Sequence, residues 1–264
     1  ETGSSRKKNS SFMLEKEVEQ SSVVSSYFLV ELKLLFRTPI YFVNCVMINF
    51  LWPIFLLLPF VIEQESRSML QKIIPMVNNP DIVGTILIAS FSLAFFLGGT
   101  NGTASTSISR EGQELYIKKY LPVSYRQQLT AKVLSGFVLG VSGIIVFVAC
   151  AVFLLKLSLW TAFLIILTAW LPILLTSLTG LLIDLYNPKL NWDNEQKAVK
   201  QNVNLLYNML IGLLFAGVTW ILLPFSSNLI LTVIILLAVY GLLCVLLVKA
   251  LFTLGVNQFG QLEV

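Results

Sequence analysis

The sequence predicts an all-α membrane protein, with six transmembrane helices preceded by an interfacial helix, and three observations carry that prediction. Hydrophobic residues make up 56% of the 264 and charged residues only 12%, against roughly 45–50% and 25% in soluble proteins. Six apolar runs meet or approach the ~20 residues that a helix needs to cross ~30 Å of hydrocarbon: Ile40–Ile62, Ile82–Gly99, Val133–Leu155, Leu159–Ile183, Leu205–Pro224 and Leu229–Phe252. Lysine and arginine are distributed unevenly between alternate connections. With the N-terminus inside, the inner segments hold Arg6, Lys7, Lys8, Lys16, Lys33, Arg37, Arg110, Lys118, Lys119, Arg126, Lys132, Lys189, Lys197, Lys200 and Lys249, and the outer ones only Arg67, Lys72 and Lys156. Such asymmetry sets orientation, so both termini are expected in the cytoplasm.

Residues 1–22 open with ETGSSRKKNSS and read as a tag remnant, linker or cut through a longer protein, outside the fold. Over 23–38, Val24, Phe28, Leu32 and Leu35 share one helical face while Ser26, Lys33 and Arg37 lie elsewhere. That pattern predicts a helix along the membrane surface, ended by Pro39, with Glu31 beside the apolar face. A transmembrane domain over 39–255 follows, then a short cytoplasmic tail, 256–264.

In the first span, Asn44 and Asn49, with Pro53 and Pro59, either line a bundle interior or bond to neighbouring helices. The second span is short and can extend through the small residues after Gly99. Gly136, Gly140 and Gly143 in the third form a seam that lets helices approach closely, a weak motif by itself. Trp52, Trp160, Trp170 and Trp220 read as interface anchors or packing residues. No Asp, Glu, Lys or Arg lies in the middle of a run, which disfavours a proton relay.

Two inner connections stand out. In Ser109–Lys132, Glu111 and Glu114 precede Lys118 and Lys119, the charge order that suits a helix dipole, with Glu114 four residues before Lys118. A short helix ending near Tyr120, ahead of Pro122, and restarting near Tyr125 is expected. It would lie across the loop mouth as a docking element. In Asp184–Asn204, Asn187–Pro188 breaks the fourth helix, and Asn191 or Asp193 can cap a new one carrying Val199, Val203 and Leu206 into the fifth span. The outer connections are the 63–81 loop and two short turns. The sequons at Asn9 and Asn101 would face the cytoplasm and read as chance matches.

Several chemistries are excluded or disfavoured. Histidine is absent, which removes His-based triads, metal sites and relays. No GxxxxGK[ST] occurs, so this chain cannot itself hold a nucleotide in a P-loop. Cys45, Cys150 and Cys244 are odd in number, lie in apolar runs and lack metal-ligand spacing.

Taken together, the ISREG to LPVS to Lys132 segment (from Ile108), NPKLNWDNEQKAVKQN (Asn187 to Asn202), the KLLFRTP entry (Lys33 to Pro39) and six spans resemble the permease of a bacterial type-2 ATP-binding cassette exporter. The likeness is to the large permeases of Gram-positive bacteria and covers about residues 28 to 255. Its cytoplasmic segments are fairly specific; its apolar runs are not. The resemblance implies a coupling helix in the first cytoplasmic loop, seated on an ATPase subunit, with Arg110, Glu111, Gly112, Glu114, Leu115, Tyr116 and Lys118 facing it. Asn187, Pro188, Lys189, Trp192 and Glu195 would mark the second cytoplasmic loop.

It further implies a transport subunit that is not itself an enzyme, in the bacterial cytoplasmic membrane. The chain would carry no cofactor, because ATP and Mg belong to the partner ATPase. Its other partners would be a second six-span unit and membrane lipid, with no nucleic acid. Related permeases can be much longer, so this chain reads as the C-terminal half of one, and the second unit is either another copy or the other half. Two rival readings are a six-span secondary carrier or channel subunit and a membrane-embedded enzyme built on Asp184, Asp193 and Glu195. The transported substrate is not legible.

Overall fold

A computed structural model describes residues 22–62 and 64–262. The segment read as tag or linker lies almost wholly outside the described residues, as do Asn9 and the first four basic residues. Among the described residues the chain is helical throughout, with no strand.

Helix α1, Val23–Arg37, is capped by the Ser22 side chain and ends at Thr38. Its inward face is Tyr27, Glu31 and Leu35, a stripe at i, i+4 and i+8. The buried stripe thus includes Glu31 itself, and Val24, Phe28 and Leu32 flank it half-buried. Leu29, Val30 and Phe36 are exposed, an apolar outer face available to lipid. At Thr38 the chain turns by 92° and continues through Pro39–Tyr41 and a π-helical turn, Phe42–Met47, into α2, Ile48–Ile62.

The wide turn frees backbone carbonyls, and polar side chains take them up. Asn44 Nδ2 donates to the Ile40 carbonyl at 2.8 Å and Asn49 Nδ2 to that of Cys45 at 2.7 Å. Both asparagines thus bond to the backbone of their own helix rather than to a neighbouring helix.

Most of the described part of the 63–81 connection is a helix rather than an open loop: α3, Gln64–Val77. Helix α4, Val83–Thr100, is followed by a helical turn at Gly102–Ser105, a 3₁₀ segment at Ser109–Glu114, and α5, Leu115–Lys119. Then come α6, Tyr125–Leu155, α7, Leu159–Tyr186, α8, Glu195–Val199, α9, Val203–Thr219, α10, Leu229–Ala250, and α11, Val256–Gln261. The start of α6 at Tyr125 matches expectation, and a capping box fixes it: Ser124 accepts from the Gln127 N–H while the Gln127 side chain accepts from the Ser124 N–H.

Five helices among the described residues are long and apolar enough to cross a membrane, and the bent pair α1 with Pro39–Phe55 makes a sixth candidate. This is a multi-pass helical membrane protein. Helices α4 and α7 sit inside the bundle, packed on each other, with α9 against α4 and both α6 and α10 against α7. The glycine seam of α6 is occupied within the chain. A Cβ at Gly136 would meet Ala104 at 2.9 Å, one at Gly140 would meet Ile173 at 2.5 Å, and one at Gly143 the Asn49 carbonyl at 2.8 Å. Close helix approach is what these glycines permit.

The connections sort to two ends. At one end Asn78 accepts from the Ser158 N–H at 3.1 Å, and Gly84 packs on the Ser226 backbone. At the other, Lys119 Nζ donates to the Leu262 carbonyl at 2.5 Å, and Tyr125 packs edge-on against Phe259. The described part of the tail, 256–262, is packed against the bundle: Phe259 is fully buried. Every described segment assigned to the inner side by charge count meets at this basic end.

Candidate functional site

After α4 the helix is interrupted at Asn101 and again between Ser105 and Ser109, and buried side chains satisfy the backbone groups that these breaks expose. Asn101 caps the turn at Thr103 and donates to the Gly136 carbonyl at 3.1 Å. Its sequon is thus a structural, 4% exposed position. Arg110 reaches back to the same turn, with Nη1 donating to the Thr103 carbonyl at 2.7 Å and to Thr106 Oγ1 at 2.8 Å. Its guanidinium also lies 5.8 Å from the centre of the Tyr41 ring, within cation–π range.

Arg110 is one of four buried charges here, with Glu31, Glu111 and Lys132. Lys132 Nζ, at the start of α6, lies 2.8 Å from Glu31 of α1 and 2.6 Å from Glu111, and donates to the Ser107 carbonyl at 3.1 Å. Arg110 lies 3.7 Å from Glu31, and the less buried Lys118 lies 2.8 Å from Glu111. Burial pushes the Glu31 carboxyl up, but Lys132, Lys118 and Arg110 outweigh it and hold it below the usual carboxylate range. Lys132 therefore ties α1, the 107–111 segment and α6 together at one ammonium.

A second buried acid joins the two distinctive segments. Asp184, near the end of α7, accepts from the Ile108 N–H at 2.6 Å, the Ser109 N–H at 3.0 Å, the Ser109 hydroxyl, and Asn204 Nδ2 at 2.8 Å. Ser109 in turn accepts from the Lys189 N–H at 2.9 Å, and the Ser109 carbonyl accepts from Trp192 Nε1 at 2.8 Å. Gly112 permits this closeness. Its φ of 51° and ψ of −132° suit glycine alone, and a Cβ there would come within 2.8 Å of the Trp192 ring.

The residues proposed to face a partner divide sharply. Arg110, Glu111, Gly112 and Leu115 are buried, while Glu114 and Tyr116 are exposed and Lys118 is intermediate. The first four are buried and hold the turn together. Glu114 does not pair with Lys118, because the helix starts only at Leu115 and Glu111 captures the ammonium instead. The exposed surface is formed by Tyr116, Ile117, Tyr120 and Leu121, with Ile117 65% and Tyr120 72% exposed.

In the second loop, Asn187 and Glu195 are exposed and Pro188, Lys189 and Trp192 half-buried. Neither Asn191 nor Asp193 caps the new helix; Asn194 does, accepting from the Gln196 N–H at 2.9 Å. That helix does not run on into the fifth span either. It stops at Val199, and Asn202 caps α9 afresh. Asp184, Asp193 and Glu195 are not gathered into one acidic centre: Asp184 is fully buried and hydrogen-bonded, and exposed Asp193 pairs with Lys197 at 2.7 Å.

Sequence reasoning missed the roles of Glu31, Lys132 and Asp184. Each stands at the border of an apolar run, where a charge reads as solvated. One signal was available: Glu31 lies on the same stripe as Tyr27 and Leu35, and an acid on a buried stripe needs a cation. No family model matches the chain, and neither a curated protein nor a solved structure is significantly similar to it.

Proposed function

We propose that the chain is the permease component of an ATP-binding cassette exporter in a bacterial cytoplasmic membrane. In this reading it has six spans, places its basic end in the cytoplasm, works beside a second six-span unit, and takes its energy from a separate ATPase subunit. The observation that carries the reading is an exposed apolar surface, Tyr116, Ile117, Tyr120 and Leu121, mounted on a turn that buried ion pairs join to both α1 and α6. Isolated apolar residues on a surface mean little, but a contiguous group beside a polar rim favours a protein partner. Movement imposed there would reach the bundle through Glu111 and Lys132 without passing through a flexible linker. The motor must bias two arrangements of the bundle by contacting them differently.

The carrier reading needs charges inside the membrane. The buried acids Glu31 and Glu111 are ion-paired and Asp184 is hydrogen-bonded to backbone and side chains, which fits fixed scaffolding better than an ion path. The test is co-purification with an ATP-binding cassette ATPase from the same gene cluster. Ile117→Asp combined with Tyr120→Asp is expected to reduce recovered ATPase by more than about tenfold, the scale of losing one interface hot spot. Both side chains are exposed, so the melting temperature should hardly move. Undiminished ATPase recovery would remove this surface from the proposal.

A further inference from the structure

At the basic end, a cavity of about 250 Å³ opens between α1, the 3₁₀ turn and the second loop, lined by Leu34, Thr38 and Tyr41, by Arg110, Glu111, Gln113 and Glu114, and by Trp192 and Glu195. It is smaller than the ~300–1,000 Å³ of ordinary small-molecule sites. Its lining carries three carboxylates against one guanidinium.

The polar atoms of this wall are incompletely used. Glu111 is 1% exposed at its side chain, and Oε1 takes both Lys132 and Lys118, while the buried Oε2 has no hydrogen-bond donor. Arg110 Nε and Nη2 likewise lack acceptors, but Glu31 Oε2, also unbonded, lies 3.7 Å from Nη2 and offsets that charge. A buried acceptor without a donor is unfavourable, the more so when charged. Glu111 Oε2 is therefore the atom that a visiting group would satisfy.

We infer that this cavity receives an arginine side chain from a partner protein. The guanidinium donates to Glu111 Oε2 and is held at the mouth by Glu114 and Glu195. A planar cation also suits walls that include the Trp192 and Tyr41 rings, and Leu34 offers apolar surface to the stem. A carboxylate or phosphate entering the same space would find Arg110 but would have to pass Glu114 and Glu195. Assigning the arginine to a motor subunit rests on the proposed function; the preference for a cation does not.

The test uses the full chain in lipid nanodiscs and three small probes: N-acetyl-arginine amide, its lysine counterpart and its glutamate counterpart. Binding is followed by ligand-observed NMR. The arginine probe is expected to bind saturably and more tightly than the lysine probe, with no binding of the glutamate probe. The double variant Glu114→Gln, Glu195→Gln, both at exposed positions, should weaken arginine binding by about tenfold or more. Absence of saturable arginine binding, equal binding by the double variant, or preference for the glutamate probe would each overturn the inference. No ATPase is present in this assay, so its failure is distinct from failure of the exporter reading, which the co-purification experiment addresses.

Discussion

Lys132→Met is expected to be among the most damaging single substitutions in the chain. It keeps the length of the side chain but leaves Glu31 and Glu111 facing each other in the interior, with Arg110 3.7 Å from Glu31 and Lys118 at the edge. Removing one partner of a buried ion pair costs about 3–5 kcal/mol, because the remaining charge keeps its desolvation penalty and loses its compensation. Whole domains are stable by only ~5–15 kcal/mol. Thermal unfolding in nanodiscs should therefore show a large drop for Lys132→Met.

The cause can be separated from simple loss of packing. Adding Glu111→Gln removes one uncompensated charge and leaves Glu31 with Arg110, so the double variant should recover a substantial part of the loss. Coupling of contacting residues typically falls at 0.5–3 kcal/mol. If the two substitutions destabilise additively, the ammonium is not balancing these acids, and the mechanical link through Lys132 goes with it.

The second large effect is expected at Asp184. Asp184→Leu would strand two backbone N–H groups, those of Ile108 and Ser109, both of which donate to the Asp184 carboxylate. At ~1–3 kcal/mol for each stranded donor, these two alone cost about 2–6 kcal/mol. Asp184→Asn keeps one acceptor oxygen and should fall between. Because Ser109 also receives the Lys189 N–H and Trp192 Nε1, the damage should spread. Hydrogen exchange is expected to rise over 108–115 and over 188–193 together. A rise confined to one segment, or no rise at all, would show that Asp184 does not join them.

Much of the architecture was legible because burial in lipid leaves a simple record. Apolar length marked the long helices, and Pro122 placed the restart near Tyr125, where the structure shows Ser124 and Gln127 capping α6. The site was less legible for a definite physical reason. Local charge rules place Glu114 beside Lys118, but the positive φ at Gly112 interrupts the helix and hands Lys118 to Glu111. The exposed neighbours Ile117 and Tyr120, which no charge pattern marks, took the place of Arg110 and Glu111 on the outer face. Pairing between Glu31 and Lys132 spans about a hundred residues, beyond anything that helical periodicity can reveal. In α3, a connection read as a loop from its polar residues became a helix, since polarity alone does not forbid one.

The functional account depends most on which side of the membrane the Tyr116 surface occupies. Single cysteines at Tyr116 and at Lys72, placed in a chain whose Cys45, Cys150 and Cys244 are replaced by alanine, can be exposed to a membrane-impermeant maleimide. In intact cells only the Lys72→Cys chain should react, and Tyr116→Cys should react once the membrane is opened. Labelling of Tyr116→Cys in intact cells would contradict the account, since a cytosolic motor cannot reach a surface that lies outside.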